Sequence, residues 1–209
     1  MPIVHRFESD FYRLAVWSSV EPESELYNGL ELYSSDQNFI ESVKSPTRRR
    51  EILTVRRLLQ ALAGANEQLS YNASGKPELE GGGHVSISHS KEMIAMIISE
   101  KHPVGIDIEA KRPKIERIAE RFLSKNEISV WGDQINQTDL HLIWGAKEVL
   151  FKLYSKGGVD FKNDMFIDPP PTSEATSLSA HFSKTDMRFD VDIHFKNLDG
   201  FLMTWAVKC

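Results

Sequence analysis

The sequence predicts an α+β fold, and the order of its elements indicates two comparable halves that meet near residue 100, without a visible residue-level repeat. Segments with helical periodicity come before runs of alternating apolar residues, and the same order returns later along the chain. No apolar run approaches the length needed to cross a membrane. With 209 residues the chain is long enough for one sizeable core or two small ones.

The first half begins as a strand, continues as helix and ends as a hairpin. Residues 11–20 read as a strand, and residues 23–65 read as helical because leucines recur at helix-like intervals. Alternating apolar residues in 85–90 and a second apolar run in 93–99 then predict two strands joined by a tight turn.

The second half repeats that order with a longer helix. Residues 104–109, VGIDIE, alternate as a strand does, and the strongest helical pattern of the chain covers residues 139–158. Gly157 and Gly158 are suited to a helix C-terminus there. Two shorter helices and a closing hairpin complete the prediction, namely 114–122, a helix with a Ser-x-x-Glu capping box at 124–127, and the strands 189–195 and 201–207.

Composition narrows the classes of function. A net charge of −5 argues against non-specific nucleic-acid binding, although a local basic cluster could still hold a phosphorylated ligand. The single cysteine, Cys209, excludes an internal disulfide and a cysteine-rich zinc site and fits a reducing cytosol. Because charges interrupt every short apolar run in the first thirty residues, we expect no signal peptide and a cytoplasmic protein.

Two carboxylates share one face of the predicted strand 104–109. Asp107 and Glu109 alternate with apolar residues, and Gly105 on the same face leaves room for another group to approach. Carboxylate oxygens are ligands that Mg²⁺ prefers. A solvated strand face remains the alternative on these residues alone.

A third carboxylate lies on the long helix. Glu148 and Lys152 are one turn apart on the side opposite the apolar stripe, with Trp144 in line and Lys147 beside them. Folding could bring Glu148 to the two strand acids. A phosphate that bridges a metal ion and Lys152 would then meet positive charge where negative charge develops during phosphoryl transfer.

Other polar groups could bind phosphate. The helix in SPTRRREILTVRRLL is unusually basic, His89 lies between two serines at a strand end, and Lys76 lies in the turn SGKP. Each has a structural alternative, namely a solvated basic face, a structural histidine and an ordinary surface lysine. The GGGH loop lacks the spacing of a P-loop.

Four motifs in order carry a family resemblance. SGKP, VSISHS, VGIDIE and, about forty residues later, WGAKEVLFK resemble the signature of 4′-phosphopantetheinyl transferases of the surfactin-synthetase-activating (Sfp) type, in the holo-[acyl-carrier-protein] synthase superfamily. The resemblance covers about residues 48–152. Gly145 departs from the family pattern, because many relatives carry Ser, Thr or Cys after the tryptophan.

The resemblance implies an activity and a set of site residues. Such enzymes transfer the phosphopantetheine arm of coenzyme A to a serine of an apo carrier protein and release 3′,5′-ADP, with Mg²⁺ or Mn²⁺ as the metal ion. The implied metal ligands are Asp107, Glu109 and Glu148. Glu148 is also the implied general base, and Lys152 contacts the pyrophosphate. The remaining coenzyme A contacts implied by the resemblance are Arg49, Arg56, Lys76, Ser88, His89 and Lys147, with Arg56 the best match for an arginine that holds the 3′-phosphate.

The resemblance also implies an architecture. The fold is a pseudo-dimer of two α+β lobes, in which 1–100 supplies coenzyme A phosphate contacts and 101–209 supplies the metal-binding carboxylates and the catalytic helix. We expect a monomer that acts on an acyl, polyketide or peptidyl carrier and binds neither nucleic acid nor membranes. The alternatives are a coenzyme A-binding protein without transfer activity and a metal-dependent phosphohydrolase.

Overall fold

The chain combines helices with antiparallel sheets in each of two units. A computed structural model describes residues 3–132 and 135–209 and divides the chain into Met1–Pro103 and Val104–Cys209. The mixture of helices and strands confirms the predicted α+β class. The pseudo-dimer arrangement and the roles assigned to the two halves stay predictions.

The first unit contains a four-stranded antiparallel sheet in the order β1-β2-β6-β5 and a small two-stranded sheet, β3-β4. Its elements are β1 (Ile3–Glu8), β2 (Arg13–Ser18), α1 (Glu23–Leu26), α2 (Ser34–Ser42), α3 (Pro46–Ala63), β3 (Leu69–Tyr71), β4 (Pro77–Leu79), β5 (His84–Ser90) and β6 (Met93–Ser99). The predicted hairpin of β5 and β6 is confirmed, and Lys91 in its turn adopts a φ of 52°.

The region predicted as helical, 23–65, forms three separate helices. Gly29 adopts a φ of +70° after the short α1, a backbone conformation that interrupts a helix. Helix α3 has a separate start, because Pro46 occupies its first turn and the Ser45 side chain accepts a hydrogen bond from the Arg48 N–H. Leucines of α3 then pack against the sheet, as their spacing predicted.

The second unit contains a five-stranded antiparallel sheet in the order β7-β11-β10-β9-β8. Its elements are β7 (Val104–Ala110), α4 (Lys114–Phe122), α5 (Lys125–Trp131), α6 (Gln137–Tyr154), β8 (Met165–Ile167), β9 (Ser177–Lys184), β10 (Met187–Leu198) and β11 (Phe201–Val207). The capping box at Ser124 and Glu127 and the closing hairpin are confirmed. Strands β8 and β9 were not predicted.

Helix α6 packs on the sheet next to β7 and β11. Its predicted apolar side is buried, with Ile143, Ala146 and Leu150 fully enclosed. The helix ends at Tyr154, where Ser155 adopts a left-handed φ of 60°, so the predicted glycine pair lies beyond the true cap. Across the described residues, no helix is both long and apolar enough to cross a membrane.

Candidate active site

The acidic face of β7 lies under α6. A Cβ built on Gly105 would lie 2.8 Å from the carbonyl oxygen of Val149 and 3.3 Å from Cγ of Leu153, so only glycine fits there. Asp107 and Glu109 follow Gly105 on the same face of the strand and therefore point to the same side. The group for which Gly105 makes room is the helix backbone.

An ion pair joins this strand to the helix. The Lys152 ammonium donates to Oδ1 of Asp107 at 3.0 Å and to the carbonyl oxygen of Ile106 at 2.7 Å. The Asp107 side chain is 6% exposed, whereas that of Lys152 is 24% exposed. The pair is thus anchored inside the unit while the lysine still reaches its surface.

Glu148 on α6 has a strongly raised pKa. Burial raises its pKa, the negative charge of Asp107 and then that of Glu109 raise it further, and Lys152 opposes them, so that the pKa is about 7. A carboxyl group with this pKa exists in both protonation states near neutral pH. It is therefore suited to accept and release a proton there.

The structure therefore brings four of the predicted residues together. Asp107, Glu109, Glu148 and Lys152 interact across the contact between β7 and α6, although Asp107 and Glu148 are far apart in sequence. Over residues 3–132 and 135–209, no group of three or more His, Cys, Asp or Glu side chains is arranged to hold a metal ion.

Lys147 lies elsewhere, in the core of the unit. Its ammonium is fully buried and donates to the Glu127 carboxylate at 2.8 Å. It also donates to the carbonyl oxygens of Phe122 at 2.6 Å and Phe161 at 2.8 Å. Burial lowers the pKa of Lys147, and Glu127 opposes that shift. This corrects the expectation of a coenzyme A contact, because reaching a ligand would break a buried ion pair.

Sequence reasoning missed the second role of Glu127. Its Oε2 accepts the N–H of Ser124 at 2.8 Å, as the capping box predicted. The carboxylate also accepts the N–H of Ile167 at 3.1 Å and holds Lys147. Glu127 thus connects α5, α6 and β8, and the Ser-x-x-Glu pattern was the only signal for it.

Gly145 fits a close approach of α6 to β11. A Cβ at this position would lie 2.8 Å from Oγ1 and 3.2 Å from Cγ2 of Thr204. Glycine weakens a helix interior relative to alanine, which would loosen the start of α6. The missing side chain of Gly145 makes room for Thr204, a residue that sequence reasoning did not identify.

The two predicted arginines belong to α3 and are engaged within the first unit. Arg49 donates from Nε to Glu23 at 2.9 Å. Arg56 is 6% exposed and donates to Oδ1 of Asp36 at 2.5 Å and to the carbonyl oxygen of Leu69 at 3.2 Å. A buried guanidinium that is already paired with a carboxylate is unfavourably placed to bind a phosphate. The expected contact of Arg56 with the 3′-phosphate therefore stays a prediction from the resemblance alone.

The remaining predicted contacts lie on or beside β5 of the same unit. Lys76 is exposed in the turn before β4, and His89 is exposed near the end of β5. Ser88 is buried. Their roles toward coenzyme A stay predictions.

Comparisons with known proteins point to one family. Residues 103–206 match the model of the 4′-phosphopantetheinyl transferase superfamily. This span contains the acidic cluster, which consists of Asp107, Glu109 and Glu148, together with Lys152. The chain is 35% identical over 128 residues to 4′-phosphopantetheinyl transferase gsp of Aneurinibacillus migulanus, covering 58% of this chain and 53% of that protein.

Two relatives from Bacillus subtilis agree. Identity to 4′-phosphopantetheinyl transferase Sfp of strain 168 is 39% over 77 residues, covering 35% of this chain and 34% of Sfp. Identity to 4′-phosphopantetheinyl transferase ffp is 36% over 99 residues, covering 44% of this chain and 43% of ffp. The matches thus span from 34% to 53% of the length of these relatives. The chain therefore matches the 4′-phosphopantetheinyl transferase superfamily over residues 103–206, with relatives of the Sfp type.

Proposed function

We propose that this protein transfers the 4′-phosphopantetheine arm of coenzyme A to a serine of an apo carrier protein and releases 3′,5′-ADP. The observation that carries the proposal is Glu148, whose pKa is about 7 beside the Asp107–Lys152 ion pair. These residues fall within the segment that matches the family. A base and a phosphate-binding cation on one helix face are two of the groups that this reaction uses.

Glu148 activates the acceptor. A serine hydroxyl is a weak nucleophile at its free pKa and needs a base within hydrogen-bond reach. Its oxygen forms a bond to the phosphorus that carries the pantetheine arm, and the bond from that phosphorus to the bridging oxygen of the pyrophosphate breaks. The serine proton passes to Glu148, directly or through a water, and 3′,5′-ADP leaves with the bridging oxygen.

Lys152 holds the pyrophosphate. An ammonium carries three hydrogen-bond donors, so Lys152 can keep its bonds to Asp107 and to the Ile106 carbonyl while it donates to a phosphate oxygen. The lysine then stands where charge accumulates on the leaving group. Positioning of this kind and electrostatic stabilisation supply most of the catalysis in phosphoryl transfer.

The donor chemistry of the cluster fits Mg²⁺ or Mn²⁺. Asp107, Glu109 and Glu148 supply hard oxygen ligands, and the Lys152 ammonium already occupies a cation position beside Asp107. Mg²⁺ commonly binds through one or two carboxylates together with waters and substrate phosphates, so three converged ligands are not required. When bound, the ion would neutralise charge on the pyrophosphate.

The wider features of the proposal rest on the family resemblance. Arg49, Lys76, Ser88 and His89 would contact coenzyme A phosphates, and the two units would form a pseudo-dimer. The carrier would be an acyl, polyketide or peptidyl carrier, with the acyl carrier of the holo-[acyl-carrier-protein] synthase reaction as one case. We also propose that the protein works as a monomer in the cytoplasm.

Intact-protein mass spectrometry tests the proposal. Apo acyl and apo peptidyl carrier proteins are incubated with this protein, coenzyme A and Mg²⁺, with EDTA as a control. We expect the carrier to gain one phosphopantetheine arm only when the metal ion is present. Glu148→Gln should not produce this gain, whereas Glu174→Gln, a control at an exposed position, should produce it as wild type does. Coenzyme A binding without transfer, or release of 3′,5′-ADP without a carrier, would contradict the proposal and identify a binding protein or a phosphohydrolase.

A further inference from the structure

A buried hydroxyl beside the acidic cluster has no assigned use. Thr204 on β11 is 1% exposed, and its Oγ1 has no hydrogen-bond partner in the described part of the chain. Leu202 and Ala206, the residues on either side of it on the same face of β11, belong to the apolar core against α6. Thr204 is therefore a polar position within an apolar row.

Its surroundings connect it to the proposed reaction centre. In the antiparallel pairing of β11 with β7, Thr204 lies directly opposite Asp107. Side chains in such a pair share a face, and their Cβ atoms lie about 4.5–5.5 Å apart. Gly145, one turn before Glu148 on α6, packs directly against the Thr204 side chain, because a Cβ at position 145 would touch both γ atoms of Thr204.

The hydroxyl is costly where it lies. A buried polar group without a hydrogen bond destabilises a protein by about 1–3 kcal/mol. Valine has nearly the same shape without that cost and would match its apolar neighbours. Packing alone therefore favours Val, and the hydroxyl at position 204 points to a hydrogen bond made during function.

We propose that Thr204 is a positioning residue for Asp107. The inference rests on the proposed function. A carboxylate has about four acceptor sites, so Asp107 can accept a further bond while Lys152 holds Oδ1. Rotation about χ1 moves Oγ1 among staggered positions, and Asp107 is the residue directly across the strand pair from Thr204. A hydrogen bond donated by the Thr204 hydroxyl to the Asp107 carboxylate would fix the plane of that carboxylate while the substrate phosphates and the metal ion bind.

Four variants separate this role from packing. Thr204→Val removes the hydroxyl and keeps the shape, and Thr204→Ser keeps the hydroxyl and removes the methyl group. Thr204→Ala removes both, so the Ser and Ala variants form a matched pair that differs by the hydroxyl alone. Gly157→Ala is the control, because a Cβ at that position meets nothing within 4 Å.

Three quantities are measured for each variant. They are the rate of arm transfer to an apo carrier, the Kd of Mn²⁺ measured by calorimetry with coenzyme A and no carrier, and the melting temperature. We expect Thr204→Val to melt at or above the wild-type temperature while its transfer rate and Mn²⁺ affinity fall about 10-fold or more, as when other partners of metal ligands are removed. Thr204→Ala should lose as much transfer rate and Mn²⁺ affinity as Thr204→Val. Thr204→Ser should keep both quantities within about twofold of wild type, although its melting temperature is lower because a buried methyl group is removed.

Wild-type rates and affinities in Thr204→Val or Thr204→Ala would overturn the inference. A folded Thr204→Ser with the same functional loss as Thr204→Ala would also overturn it, since only packing would then explain both. If Thr204→Val does not fold, the Ser and Ala pair decides. Failure of the wild-type protein to modify any carrier would instead overturn the proposed function itself.

Discussion

Neutralising Glu148 should stabilise the protein, and only at high pH. Glu148→Gln mimics the protonated side chain at nearly constant shape. Raising the pKa of Glu148 from 4.5 to about 7 corresponds to a penalty of ~3 kcal/mol on its charged form in the folded protein. Burial is the largest cause of that penalty and the charge of Asp107 is the next.

The sign follows from proton linkage. Between pH 4.5 and about 7 the folded protein binds this proton more tightly than the unfolded chain does, so the contribution of Glu148 to stability falls as the pH rises through that range. We therefore expect Glu148→Gln and wild type to agree within about 0.5 kcal/mol at pH 4.5. The variant should become more stable by up to ~3 kcal/mol at pH 8.5.

Urea unfolding at a series of pH values in EDTA measures this difference. The chelator matters because a bound divalent cation would favour the charged carboxylate. Glu174→Gln, at an exposed position, should show no pH-dependent difference beyond a few tenths of a kcal/mol. A difference between Glu148→Gln and wild type that does not change with pH would refute the reasoning.

Three further substitutions test the surroundings of the site. Lys147→Met should reduce the free energy of unfolding measured in urea by about 3–5 kcal/mol, because it leaves the Glu127 carboxylate buried without its cation. Gly145→Ala should lower the melting temperature despite the better helix propensity of alanine, because its Cβ would lie 2.8 Å from Oγ1 of Thr204, and adding Thr204→Ala should restore part of the loss. Arg56→Met should lower the ratio of kcat/KM for coenzyme A to kcat/KM for 3′-dephospho-coenzyme A, because only coenzyme A carries the 3′-phosphate that Arg56 is predicted to contact.

Each of these predictions has a contrary result. Lys147→Met with wild-type stability would show that the buried pair contributes nothing. The control is Lys125→Met, at an exposed position of α5. For Gly145→Ala, a loss equal to that of the open position Gly157→Ala would contradict the close packing. An unchanged substrate ratio with reduced stability in Arg56→Met would assign that arginine to the fold.

The sequence by itself determined the local features of the site. Alternation in VGIDIE placed Asp107 and Glu109 on one face, and the four-residue spacing placed Glu148 and Lys152 one turn apart. Both depend on the periods of strand and helix, which short-range sequence reports directly. Capping chemistry likewise predicted the start of the helix after Ser124.

Only the tertiary structure decided how those features combine. The pKa of Glu148 depends on burial and on charges from a distant strand, and no local pattern encodes either. The family resemblance implied a coenzyme A contact for Lys147, but the packing of α5, α6 and β8 encloses that ammonium completely. The close fit of Gly145 against Thr204 joins residues far apart in the chain, because a helix lies across a strand that follows it late in the sequence.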